Sequence, residues 1–151
     1  MLTDDLWLPV RQTDPRAIAL YRRHYSSRGL PAADYRRYGI AGPGETLTLL
    51  TPLANALWLW RRHIDDSGQR GACCAIFRTE STTVLASRLV HAACAIAWHR
   101  WPGQRLYTYV DPRHLPKGSN PGYCFLVAGW TRLPGRTLGG LHVLERLPIP
   151  S

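Results

Sequence analysis

Apolar positions along the chain alternate between a period near two and a period near 3.6, which predicts strands and helices in turn. Leu6 to Gln12 alternates weakly and is expected as a first strand. Asp14-Pro15 follows as an N-cap with proline at the first helical position, opening a helix that carries Ile18, Leu20 and Tyr21 toward His24-Tyr25-Ser26. A short helical turn is expected at Ala32 to Tyr38, and the run Gly39 to Gly44 breaks it. Thr46 to Leu50 and Ala56 to Arg62 read as two strands joined around Pro52 and Asn55, with a further turn at Asp65 to Gly71. Gly71 to Arg78 is a short apolar run suited to a central strand. Ser81 to Trp98 reads as the main helix, with Ser81 as N-cap and Leu85, Leu89, Ala92 and Ile96 on one face. Leu106 to Val110 is a strand ended by Asp111-Pro112. Ser119-Asn120-Pro121 is expected to cap a short helix through Ala128, closed by Gly129. Trp130 to Leu133 and Leu141 to Leu147 complete the set, linked by the hairpin Pro134 to Gly140. The order β-α-α-β-β-β-α-β-α-β-β predicts an α+β fold, a mixed sheet of six to seven strands flanked by helices.

Composition narrows the classes. The 151 residues are 45% hydrophobic and 19% charged, which suits one domain spanning 1–151 and excludes intrinsic disorder. Lys plus Arg is 19 against 10 Asp plus Glu, a formal charge of +9, and Lys117 is the lone lysine. That sign points to an anionic partner: nucleic acid, a phosphorylated cofactor or both. The opening MLTDDLW has neither a basic nor an apolar leader segment, and the apolar stretch Leu47 to Trp60 is interrupted and too short for a membrane span. Cys73, Cys74, Cys94 and Cys124 form no framework, so a reducing cytoplasm is expected. Monomer and homodimer stay open.

Several residues have side chains fit for chemistry. His24 titrates near neutrality and can take a proton from an amine; Tyr25 can stack on a base; Ser26 follows them. Set against this, His24 can cap a helix end and Tyr25 can pack in the core. Asp111 closes a strand, where it can face a cleft or serve as an Asp-Pro turn residue. Arg22, Arg23 and Arg28 surround the His-Tyr pair, and Arg36-Arg37 follow between Tyr35 and Tyr38. Such interleaving lets guanidinium groups neutralise phosphate while rings stack on bases. His91 and Cys94 share a helix face but lack a second ligand pair, so no metal is expected.

The element order, together with Asn120-Pro121-Gly122-Tyr123-Cys124-Phe125 and Ala128-Gly129-Trp130, resembles the GNAT (GCN5-related N-acetyltransferase) superfamily. The resemblance implies acetyl-CoA or another acyl-CoA as cofactor. It implies an oxyanion donor, a backbone N–H of the fourth strand near Cys74 to Phe77, with cofactor contacts at Cys74, Ile76 and Phe77; Ser119 and Asn120 can hydrogen-bond cofactor or substrate, or equally cap a helix. The family signature Gln/Arg-x-x-Gly-x-Gly/Ala opens the long helix; matched at Arg78, it places Ser81, Thr82 and Thr83 around the cofactor pyrophosphate, with Ser81 and Thr83 replacing the small residues. The family's thiolate-protonating tyrosine is Phe125 here, and Tyr123 lies about 200° away on an ideal helix. A narrower resemblance, carried by His24-Tyr25-Ser26, the Arg78 loop, Asp111 and Tyr123, is to the Mom-type DNA-modification proteins of phages and prophages. It implies modification of an adenine amine on DNA, with the base flipped into the cleft. The rivals are an ordinary acetyl-CoA-dependent N-acetyltransferase of a small amine or protein, and a nucleic-acid-binding protein that kept only the fold.

Overall fold

The computed structural model describes residues 6–25, 27–42, 44–63 and 68–149. Seven strands form one sheet: β1 (Leu8–Val10), β2 (Glu45–Leu50), β3 (Ala56–Arg62), β4 (Ala72–Thr79), β5 (Leu106–Val110), β6 (Thr131–Arg132) and β7 (His142–Arg146). Their spatial order is β1-β2-β3-β4-β5-β7-β6. Only β4 and β5 run parallel; every other neighbouring pair is antiparallel. The helices are α1 (Pro15–Arg22), α2 (Ala32–Tyr38), α3 (Ala86–Arg100) and α4 (Tyr123–Val127). The expected α+β order is therefore present, with a 3-10 turn added at Pro112–His114.

β3 shows why the sheet has two covered faces. Its run Ala-Leu-Trp-Leu-Trp is buried throughout, as expected for a strand covered on both sides. Alternation sends Trp58 and Trp60 into one core with Leu89, Ala93 and Cys94 of α3 and Phe125 of α4. Leu57 and Leu59 go into the other, with Ile18, Leu20 and Tyr21 of α1 and Tyr35 of α2. The helix α1 begins as the sequence predicts, with Asp14 accepting the Arg16 N–H at 2.8 Å and Pro15 in the first turn.

Helix α3 departs from expectation. It starts at Ala86, not at Ser81, and Leu85 stands before it without a side-chain cap. Its buried face is Leu89, Val90, Ala93, Cys94 and Ala97; Leu85 is exposed. Small residues let the helix sit close to the sheet, where Trp60 Nε1 donates to the Ala93 carbonyl at 3.1 Å. Ser119 and Asn120 do not cap α4 either. That helix starts at Tyr123 after Gly122, which adopts φ +74°, and a Cβ at Gly122 would strike Leu144.

Candidate active site

β4 and β5 pair only through Ala72↔Leu106, Cys73↔Tyr107 and Cys74↔Thr108, and then part. The last rung is held by Thr108 Oγ1, which donates to the Cys74 carbonyl at 2.8 Å. On its other side β4 pairs Ile76 with Leu59 and Cys74 with Trp60, so Ala75 is an extra residue opposite no partner. Such a bulge bends the strand and frees backbone groups. The parting strands enclose a cavity of about 610 Å³. It is lined by Ala75 and Phe77 of β4, by Thr108, Tyr109 and Val110 of β5, by His24 and Tyr25 after α1, and by Tyr123, Cys124 and Phe125 of α4. Its lining thus joins residues that follow α1 to residues of α4, helices that cover opposite faces of the sheet.

At the α1 side three rings stack. His24 lies on Tyr25 with centroids 4.4 Å apart, and Tyr25 lies on His114, again at 4.4 Å. Burial lowers the His24 pKa to about 4, helped by the nearby charge of Arg78 and by His114, so the imidazole is neutral at pH 7. Burial raises the Tyr25 phenol, which is therefore protonated. Asp111 is tied into the turn. Arg113 Nε and Nη2 donate to its two oxygens at 2.8 and 2.9 Å, and the Arg113 backbone N–H adds a third bond at 3.0 Å. Those bonds hold its carboxyl down at about 2, so Asp111 is an ionised carboxylate at neutral pH that braces the turn, with His114 Nε2 3.5 Å away.

At the α4 side Tyr123 is exposed and lines the cavity together with the buried Phe125. The late helix start brings both residues to one wall, which the ideal helical angle between them did not suggest. Cys74 and Cys124 line the cavity too, but burial raises both thiols. They are poor nucleophiles. Ser119 and Asn120 stand at the rim, and the Asn120 side-chain oxygen accepts from Arg132 Nη1 at 2.7 Å. Ile76 faces away, buried against α1 and α2. Ser26 lies outside the described residues.

The arginine and tyrosine set is dispersed. Tyr35 is fully buried and cannot stack on a base. Arg23 is spent on Glu80 at 2.6 Å. Arg22, Arg28, Arg36 and Arg37 are exposed, with Arg37 lying over the exposed Tyr38 ring at 5.2 Å. The sequence bounds the strand donor to Cys74 through Phe77 without singling out Ala75, because a bulge needs the register of two strands, and it gives no sign of His114, which reaches the site only through the turn after β5.

Among solved structures the chain is similar to a candidate phosphinothricin N-acetyltransferase (15% identity, TM-score 0.62, over 95% of this chain and 98% of that one). It is also similar to a candidate GNAT-family acetyltransferase from Bordetella pertussis (17% identity, TM-score 0.57, over 96% and 98%). The fold is that of the GNAT acetyltransferases. No protein-family model matches the sequence, and no curated protein matches it.

The loop Arg78 through Thr83, matched by sequence to the family signature, ends before α3, which opens at Ala86. Arg78 is bound to Glu80 at 3.0 Å and donates to the Arg23 carbonyl at 3.1 Å. The N–H groups of Thr83 and Val84 are already accepted by Ser81 Oγ, at 3.3 and 3.1 Å. Thr82 and Thr83 are exposed on that turn. The first turn of α3 is where donors remain: it has neither a capping side chain nor an acid. Beside it a groove of about 590 Å³ between α3 and α4 is lined by Ser87, Arg88, His91 and Arg146.

Proposed function

We propose that the chain is an acyl-CoA-dependent N-acyltransferase acting on the amine of a small molecule or protein. One observation carries this reading: a cavity at the Ala75 bulge whose lining joins His24 and Tyr25, which follow α1, to Tyr123, Cys124 and Phe125 of α4, helices that cover opposite faces of the sheet. Two reactants can then meet from opposite sides without sharing an entrance. The donor set suits an acyl-CoA. The parted edges of β4 and β5 suit a narrow chain with amide groups, and the uncapped α3 start with Arg88 and Arg146 suits phosphates. When bound, the cofactor supplies an activated acyl carbon as a thioester.

The protein's own groups then have distinct tasks. The Ala75 N–H, on the bulged residue of β4, is the donor for charge on an acyl oxygen. Neutral His24 can take the amine proton at a ring nitrogen. Tyr123 Oη holds a proton at the α4 wall, in the region where the family places its acid and this chain has Phe125. The test is titration of acetyl-CoA by calorimetry, followed by thiol release with a panel of amines. Binding with amine-dependent release supports the reading; neither binding nor release of any acyl-CoA overturns it.

A second reading, acylation of a base amine on DNA, draws on the exposed Arg22, Arg36 and Arg37, none of which pairs with a carboxylate among the described residues. Neither structural neighbour is described as acting on DNA. Co-expression with a plasmid and mass spectrometry of its nucleosides separates the readings: a new adduct selects DNA, and its absence alongside small-amine turnover rejects it.

A further inference from the structure

Next to the Ala75 bulge, on the α1/α2 face, lies a separate hollow of about 310 Å³. Its floor is Leu59 and Ile76, and Tyr21 and Ala41 stand at its sides. Two guanidinium groups reach it, from Arg28 and Arg61. Arg61 follows Leu59 by two on β3 and so leaves the sheet on the same face. Its Nε is buried and has no hydrogen-bond partner. A buried donor left in that state is unfavourable, so a ligand that satisfies it is favoured.

Arg16, Arg23, Arg62, Arg78, Arg100, Arg105 and Arg113 each have a carboxylate of the chain itself. Among the described residues Arg28 and Arg61 have none, as is also true of Arg22, Arg36 and Arg37, but Arg28 and Arg61 line one hollow. Arg28 lies over the Tyr35 ring at 5.9 Å and bonds the Tyr21 phenol, which aims it without neutralising it. Gly42 makes room for the second guanidinium, since a Cβ there would collide with Arg61 Nη1. Ala75 lines both this hollow and the cavity between β4 and β5.

We propose that this hollow holds the anionic head of the acceptor, making the substrate a small primary amine that carries a carboxylate or a phosphate at its other end. The volume lies at the lower limit of small-molecule sites, which suits a metabolite and not a polymer. Arg61 and Arg28 take the anionic oxygens, and the amine end reaches the bulge at Ala75. The acceptor role rests on the acyltransferase reading; the anion site itself does not.

The test is calorimetry without any acyl-CoA, using the α-amino acids, their carboxamides and O-phosphoethanolamine. At least one acid or the phosphate is expected to bind at least tenfold more tightly than its neutral counterpart. Arg61→Met is expected to weaken that binding tenfold or more. Gly42→Ala, which displaces only the tip of a flexible side chain, is expected to do the same with an unchanged unfolding midpoint. Carboxamides that bind as well as the acids overturn the proposal, as does a panel without binding or variants without effect. Acyl-CoA titrated separately tells the two ideas apart: anion binding without acyl-CoA binding sinks the transferase and leaves this site standing.

Discussion

His24 offers the sharpest quantitative consequence of the site. Its imidazole pKa falls from 6.5 to about 4 on folding, chiefly because burial strips water from the charged form. The unfolded chain therefore binds more protons at this position between those two pH values. Stability from this residue is full above pH 6.5 and is lost as pH falls toward about 4. At about 1.4 kcal/mol per unit the ceiling is about 3 kcal/mol. Tyr25, stacked on the ring, is 49% exposed, so water reaches the stack and roughly half that ceiling, 1–2 kcal/mol, is expected. Urea unfolding of the wild type and of His24→Gln at pH 7.0, 6.0, 5.0 and 4.5 measures it. The variant lacks the ionisable ring, so the difference in unfolding free energy should shrink steadily with acidification. Glu80 and Asp111 do not enter this window: their folded values near 2 make their contributions fade only below the ordinary carboxylate range. A difference that stays constant from pH 7.0 to 4.5 would refute the burial argument and, with it, the neutral base.

Further outcomes follow from other contacts. Tyr123→Phe should lower kcat about 10- to 100-fold with KM little changed, because it removes a proton without reshaping the wall; steady-state thiol release reads this. Gly71→Ala should destabilise by roughly 3 kcal/mol in urea, since φ is +123° and the new Cβ would run into the Arg105 carbonyl oxygen. Glu80→Gln should cost about 1 kcal/mol by the same assay, as the carboxylate joining Arg23 and Arg78 is one-third exposed and solvent screens the pair. Thr108→Val should cost about 1 kcal/mol and loosen acyl-CoA binding, because it removes the bond that closes the last rung before β4 and β5 part.

The sequence discloses elements that carry their own punctuation. Asp14-Pro15 opens α1, and the apolar and aromatic runs of β3 and β5 mark both strands to the residue. It misleads where a polar residue does a local job that imitates a boundary. Ser81 looks like an N-cap, yet its hydroxyl closes a turn five residues before α3, and Leu85 gives no sign of preceding a helix. Tyr35 looks like a surface aromatic among arginines, yet it packs edge-on against Tyr21 at 5.1 Å in the core. The site is harder still to read. The bulge at Ala75 exists only in the register between β3 and β4, and the Arg28–Arg61 hollow joins residues that only the folded sheet brings together.

The claim on which the account turns is that the parting of β4 and β5 receives an acyl-CoA. Backbone amide NMR during titration with acetyl-CoA tests it directly. Saturable shifts are expected at Ala75 and at Thr108 through Val110, together with Ser87 and Arg88 at the start of α3. Binding that shifts only the α3 residues and leaves Ala75 and β5 unmoved, or no binding at all, would contradict it.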